Sequence, residues 1–229
     1  MVTVLFFGAL RERAGVDEIR LPVDAPLSVR ECLDRAEERV PGLRVWMTEL
    51  AVAVAINADI VDGWEGVLTG GEEVALLPPF SGGAPLSSSI DAAVRFQAEP
   101  FSMGDETAAV KACSTRIGAI VTMTGTVRDL SHGRAVMGIE VESYPIMARR
   151  RLEQIRAQMI EEHGLLAARL IVRLGRLDVG DDLILIIAAA EHRHQVFAAA
   201  HWCIDEIKRS VPIWKRELTP DGWRWVHGC

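Results

Sequence analysis

The chain has 229 residues, of which 49% are hydrophobic and 25% charged, a mixture that supports a packed core and excludes wholesale disorder. At roughly 100–200 residues per domain, that length holds one large domain or two small ones. The formal net charge of −7 argues against a nucleic-acid partner held by phosphate neutralisation. No apolar run approaches the roughly 18–20 residues needed to cross a bilayer. The opening MVTVLFFGALRER carries its positive charge after the apolar stretch, the reverse of a secretory signal, so a cytoplasmic protein without membrane contact is expected. Cys32, Cys113, Cys203 and Cys229 form no CxxC pair and no short Cys/His spacing. Neither a metal site nor a disulfide framework is expected, and nothing asks for a cofactor.

In chain order, VTVLFFGAL and EIRLPV read as two strands of a hairpin joined through an RERAGVD turn region. A helix of about three turns follows, opened by the Ser28/Glu31 capping box and closed by Pro41-Gly42. Val29, Cys32, Leu33, Ala36 and Val40 mark its inner face. AVAVAIN and EEVALLPPF read as two more strands, giving β-β-α-β-β and a small mixed sheet crossed by one helix. Small and polar residues from Ser81 to Ala93 then read as a linker. We therefore expect a first domain over residues 1–83, a linker over 84–93 and a second domain over 94–229. In the second, IGAIVTMTGTVR and AVMGIEVESY are strand-like, and Pro145 opens a helix with Ala148, Leu152, Ile155 and Met159 on one stripe, ending at Gly164. LIVRLGRL and DLILIIAAA are strands. A second helix from about His192 to Val211 carries Val196, Ala200, Cys203, Ile204, Ile207 and Val211 inward and breaks at Pro212, leaving a short tail with three tryptophans.

Two compositional asymmetries bear on chemistry. Residues 1–83 hold seven arginines and no lysine against fourteen acidic residues, whereas the rest of the chain is balanced. Only three lysines occur, Lys111, Lys208 and Lys215, and two of them fall in KRSVPIWKRE. Either the composition simply favours arginine, or these lysines are kept because an amine can give up its proton where a guanidinium cannot, as a base or nucleophile must. His192 and Arg193 lie at a helix start, which is either a solvated turn or an anion site served by free N–H groups. Arg128 ends a strand. Gly82-Gly83 is either a hinge or a thin, side-chain-free tail able to thread a narrow tunnel. Arg149-Arg150-Arg151 is either a solvated helix face or part of a basic docking patch for the acidic first domain.

GEEVALLPPFSGG, with AVAVAIN upstream, resembles the end of the small sulfur-carrying subunit of molybdopterin synthases, MoaD. GAIVTMTGTVR, ESYP, LGRLDVGD, AEHRH and KRSVPIWKRELTPDGWRWV resemble their large catalytic subunit, MoaE. The resemblance implies an α+β chain: an N-terminal β-grasp (ubiquitin-like) domain linked to a C-terminal α/β-hammerhead MoaE-like domain. It implies a sulfurtransferase that converts cyclic pyranopterin monophosphate into molybdopterin, with sulfur carried as a thiocarboxylate on the terminal glycine. By motif position that glycine is Gly83, after Gly82, and the site lysines are Lys208 and Lys215. Arg128, His192, Arg193, Arg216 and Glu217 fall at substrate-binding positions. The implied partners are an adenylating, sulfur-supplying enzyme that activates the tail and a second copy forming a homodimer through the MoaE-like domain. Because Gly83 is followed by Ala84, its carbonyl is a peptide amide, and cleavage between the two is expected. The alternative is a non-catalytic carrier joined to a scaffold, which explains the di-glycine but leaves the lysine pair idle.

Overall fold

The computed structural model describes residues 1–61, 64, 66–79 and 93–226, and divides into two compact units, Met1–Ala84 and Pro85–Cys229. The first contains β1 (Val2–Phe6), α1 (Gly8–Ala14), β2 (Glu18–Leu21), β3 (Leu27–Ser28), α2 (Val29–Arg39), α3 (Leu43–Glu49), β4 (Ala53–Ile56), β5 (Asp59–Val61), β6 (Val67–Leu68) and β7 (Glu73–Leu77). Its main sheet has the order β2-β1-β7-β4-β5. The central pair β1 and β7 is parallel, and the flanking pairs are antiparallel. Strict alternation along β1 sends Val2, Val4 and Phe6 into the core. Val29, Cys32, Leu33 and Ala36 of α2 meet them there. This is the β-grasp arrangement.

The capping box at α2 is present: the Ser28 N–H donates to Glu31 Oε2 at 2.7 Å, and the Glu31 N–H donates to Ser28 Oγ at 3.2 Å. Two helices depart from the sequence reading. The expected hairpin turn contains α1, closed by Gly15 in the left-handed region at φ 69°, while the strands around it pair as expected, Val4 opposite Ile19. Pro41-Gly42 ends α2 but also starts α3. Glu37 supplies the start, its two carboxylate oxygens accepting from the Gly42 and Arg44 N–H groups at 2.8 and 2.7 Å. A cap supplied by the preceding helix leaves no local signature of the kind a capping box does.

The second unit contains β8 (Val94–Gln97), α4 (Met103–Lys111), β9 (Ala119–Thr126), β10 (Leu130–Ser131), β11 (Arg134–Ala135), β12 (Gly138–Ser143), α5 (Pro145–His163), β13 (Ala167–Arg173), β14 (Gly175–Asp178), β15 (Asp182–Ala190), α6 (Arg193–Ser210), β16 (Ile213–Thr219) and β17 (Gly222–Trp225). One sheet has the order β8-β13-β15-β9 and another β14-β12-β16-β17. The first is buried on both faces. Ile184, Ile186, Ala188 and Ala190 of β15 pack with α5 and α6, and Leu185, Ile187 and Ala189 pack with Val110 of α4. That explains the unbroken apolar run DLILIIAAA. The α5 stripe Ala148, Leu152, Ile155 and Met159 is wholly buried, and Gly164 closes the helix in the left-handed region.

The sequence reading missed β8 and α4. Among α4 residues only Glu106 and Val110 are buried, so no apolar stripe announces the helix. The expected short tail is in fact the hairpin β16–β17, with β16 paired on both sides. Among the described residues no helix is long and apolar enough to cross a membrane.

Glu106 fastens α4 to the sheet by accepting from Arg95 of β8 and Arg169 of β13. Burial pushes its carboxyl up, but the hydrogen bonds and charges of Arg169 and Arg95 outweigh that and hold it below the usual range. Glu106→Gln is expected to destabilise this unit by about 3 kcal/mol at neutral pH, read as a lower denaturant midpoint. With the folded pKa depressed, the wild-type advantage is complete above the ordinary carboxylate range and disappears as pH falls through the folded value. Equal midpoints at neutral pH would show that the clip adds nothing.

Candidate active site

The strand registers sort the expected site residues into two groups. β15 runs from Asp182 to Ala190, and Thr126 of β9 stands opposite Asp182 while Ala119 stands opposite Ala190. Arg128 lies two residues past Thr126, where the Val127 N–H donates to the Asp181 carbonyl at 2.9 Å. It is therefore at the Asp182 end. His192 and Arg193 follow Ala190 and lie at the opposite end. Only Glu191 and His192 connect β15 to α6, so the helix returns along the same sheet and delivers its last turn, with Lys208, to the Asp182 end. Ile213, just beyond, packs against the cluster that contains Val127. Arg128, Lys208 and Lys215 thus share one end of the unit. Arg193 and Lys208 are separated by about 22 Å of helix at 1.5 Å per residue, too far to touch one reacting atom.

Alternation along β16 divides the remainder. Lys215 stands opposite Val141 and Glu217 opposite Ile139, so both share the face where Val141, Ile139, Leu177 and Val127 cluster. Arg216 points to the other face. Its Nε donates to Glu140 Oε2 at 2.6 Å, and its guanidinium lies 4.9 Å from the Trp223 ring centre and 5.7 Å from that of Trp225. Arg216 is already engaged as a brace between β12, β16 and β17. Gly82 and Gly83 lie outside the described residues.

The far end of α6 is also built. Gln195 accepts from the His192 N–H at 3.1 Å and donates to the His163 and Gly164 carbonyls at 3.1 and 3.0 Å, joining the start of α6 to the end of α5. The His192 and His194 rings stack with centres 5.9 Å apart, both exposed beside Arg193. Arg116 pairs with Glu191.

The sequence reading missed the groups that hold the Lys208 end. Glu206, 6% exposed in its side chain, pairs with Arg151 of α5 and with Arg209. Burial raises its carboxyl, and the bonds from Arg209 and Ser210 with the Arg151 and Arg209 charges overcome that and hold it low. The available signal was a carboxylate at the position between Cys203, Ile207 and Ser210 on the buried stripe. Arg151 is accordingly turned inward, contrary to either expectation for the Arg149-Arg150-Arg151 run, and Arg149 pairs with Glu153.

A ubiquitin-like unit followed by an α+β unit with two lysines gathered at one end is the class of protein that the geometry defines. The MoaE protein family matches residues 96–210, and the ThiS family matches residues 4–83. A molybdopterin synthase catalytic subunit from Pyrococcus abyssi is 38% identical over 130 residues, covering 57% of this chain and 86% of the relative. One from Cereibacter sphaeroides is 40% identical over 133 residues, 58% of this chain and 90% of the relative. The crystal structure of molybdopterin synthase from Staphylococcus aureus superposes with a TM-score of 0.56 at 29% identity, covering 60% of this chain and 99% of that one. The chain belongs to the MoaE protein family and carries a ThiS-family domain ahead of its MoaE domain.

A methyl group on Gly118 would stand 2.4 Å from the Glu191 carbonyl oxygen, so the strand end before His192 has to shift to accept it. Gly118→Ala is expected to cost about 1–3 kcal/mol of stability and to move the imidazole resonances of His192 and His194. Unperturbed resonances would show that this approach does not hold the α6 start.

Proposed function

We propose that the chain is a molybdopterin synthase with both of its working parts in one polypeptide, transferring sulfur from a glycine thiocarboxylate to cyclic pyranopterin monophosphate to form the dithiolene of molybdopterin. The observation that carries this reading is the pairing of a ThiS-family domain with a MoaE domain whose fold brings Lys208, Lys215 and Arg128 to one end. In each transfer the thiocarboxylate sulfur bonds to a carbon of the pterin side chain as a carbon–oxygen bond there breaks and its oxygen group leaves; water then hydrolyses the resulting thioester, breaking the carrier's carbon–sulfur bond and leaving the carrier as a carboxylate. Net, sulfur replaces oxygen.

The residues take roles consistent with their placement. Lys208 is the amine that adds to the substrate or moves its proton, and Lys215, on a strand braced from both sides, orients it. Arg128 anchors the phosphate, and Glu217 shares the Lys215 face. Arg216 serves from the opposite face by holding β16 and β17 together under Lys215. His192 and Arg193 are too distant along α6 to act on the same substrate molecule. In a homodimer formed through this unit they serve the pocket of the partner copy, where an exposed helix start suits an anion. The setting is the cytoplasm.

The carrier function requires a free carboxylate at Gly83. Hydrolysis of the Gly83–Ala84 bond, with water supplying the oxygen for Gly83 and the proton for the Ala84 amine, releases it. An adenylating enzyme then converts that carboxylate into an acyl adenylate from which a sulfur donor displaces the nucleotide. Intact-mass measurement on protein from its native host is expected to find two fragments divided after Gly83, and a fully active uncut chain would remove this step.

Lys208→Ala is expected to abolish dithiolene formation while leaving the fold intact. Lys215→Ala should slow it on the order of 10²-fold by misorienting the substrate. Both are read as product formed from cyclic pyranopterin monophosphate and thiocarboxylated carrier. Normal yield from Lys208→Ala would overturn its role.

A further inference from the structure

Lys208 and Lys215 flank the passage from α6 into β16, and that passage runs beside the one from β12 into α5. Ser143 stands opposite Ile213, and the Tyr144 N–H donates to the Pro212 carbonyl at 3.3 Å. Less than two turns into α5, Arg151 reaches across to the last turn of α6. Its Nε donates to Ser210 Oγ at 2.7 Å, its Nη1 to Gln154 Oε1 at 3.0 Å, and its Nη2 to Glu206 Oε1. The Ser210 hydroxyl in turn donates to the Glu206 main-chain carbonyl at 2.7 Å, and Arg209 Nε donates to Glu206 Oε2 at 3.0 Å. Every polar side chain in the set answers another.

Adhesion of α6 does not require this network. Val196, Ala200, Cys203, Ile207 and Val211 already fix the helix to the sheet, and the strands beneath contribute Val121, Met123, Ile184 and Ile186 to the same apolar cluster. A buried ion pair is a weak source of stability against an apolar alternative. What it adds is geometry, because a planar guanidinium fork accepts a carboxylate in few arrangements, whereas an apolar face tolerates small slides and rotations. Lys208 follows Glu206 by two residues and so projects to about the opposite side of the helix. Glu206 faces α5 while Lys208 is exposed, and any influence passes through the backbone of that turn.

We infer that Glu206 and Arg151 are positioning residues for the lysine pair: by locking the last turn of α6 to α5, they set the spacing between the Lys208 and Lys215 amines. The inference rests on the reading of those two lysines as one reacting site. It places a determinant of sulfur transfer in two side chains that meet neither substrate nor carrier tail.

With only three lysines in the chain, a short-arm amine-to-amine cross-linker followed by peptide mass analysis reads the spacing directly on the full-length protein, independently of catalysis. The wild type is expected to give a Lys208–Lys215 link. Glu206→Gln should reduce its yield severalfold and lower kcat on the order of 10²-fold with KM nearly unchanged. Arg151→Lys, which keeps the buried charge but loses the fork, should show the same loss in milder form. Glu106→Gln breaks a comparable carboxylate clip on the other face of the sheet and should retain both the link and kcat, which separates positioning from stability. Undiminished link and kcat in folded Glu206→Gln or Arg151→Lys would overturn the inference. Absence of the link in the wild type would overturn the reading of the lysines as one site.

Discussion

The catalytic unit depends on one constraint: α6 is held to α5 at both of its ends. Gln195 spans from the His192 N–H to the last carbonyls of α5, and Glu206 meets Arg151 near the α5 start. The two helices run antiparallel over a common apolar cluster, which supplies the attraction but not the register. Register comes from the polar ends. Because α5 is itself fixed by the wholly buried stripe from Ala148 to Met159, it acts as a ruler on which the two ends of α6 are marked.

From that ruler the rest of the site follows by strand geometry. α6 ends at Ser210, and only Val211 and Pro212 separate it from β16. The alternation of a strand then sends Lys215 and Glu217 to the face with Val141 and Ile139 and Arg216 to the face with Glu140, Trp223 and Trp225. Neighbours in sequence acquire different tasks for no reason other than the pleat. The segment KRSVPIWKRE is compact as a motif because it crosses one junction, whereas AEHRH belongs to a separate end.

Much of the fold was legible because its elements carry local signals. The Ser28/Glu31 box, the stripe after Pro145, the left-handed Gly164 and the unbroken apolar run of β15 each declare themselves within a few residues. What escaped was specified at a distance. α3 is capped by Glu37 from the preceding helix, α4 is held by a carboxylate rather than an apolar stripe, and β16, on which β17 folds back, reads as part of a polar tail because its other partner, β12, lies some 75 residues earlier. The site was legible as a set of residue types but not as an arrangement. Motif resemblance put His192, Arg193 and Lys208 together, and only the length of α6 separates them. Glu206 went unnoticed, and Arg151 read only as one charge of an exposed or docking run, because neither could be told from a helix-surface charge until the facing helix was known.

The scarcity of lysine acquires a physical meaning once the ion pairs are in place. Among the described residues, the carboxylates of Glu106, Glu206, Glu140 and Glu191 are each met by arginine: Arg95 and Arg169, Arg151 and Arg209, Arg216, and Arg116. A guanidinium keeps its charge at any working pH and offers two parallel donors, which suits a permanent clip. An ammonium offers neither advantage, but it can lose its proton and become a nucleophile. Two of the three lysines, Lys208 and Lys215, stand on either side of the junction between α6 and β16, where that difference between the two cations bears on the proposed chemistry.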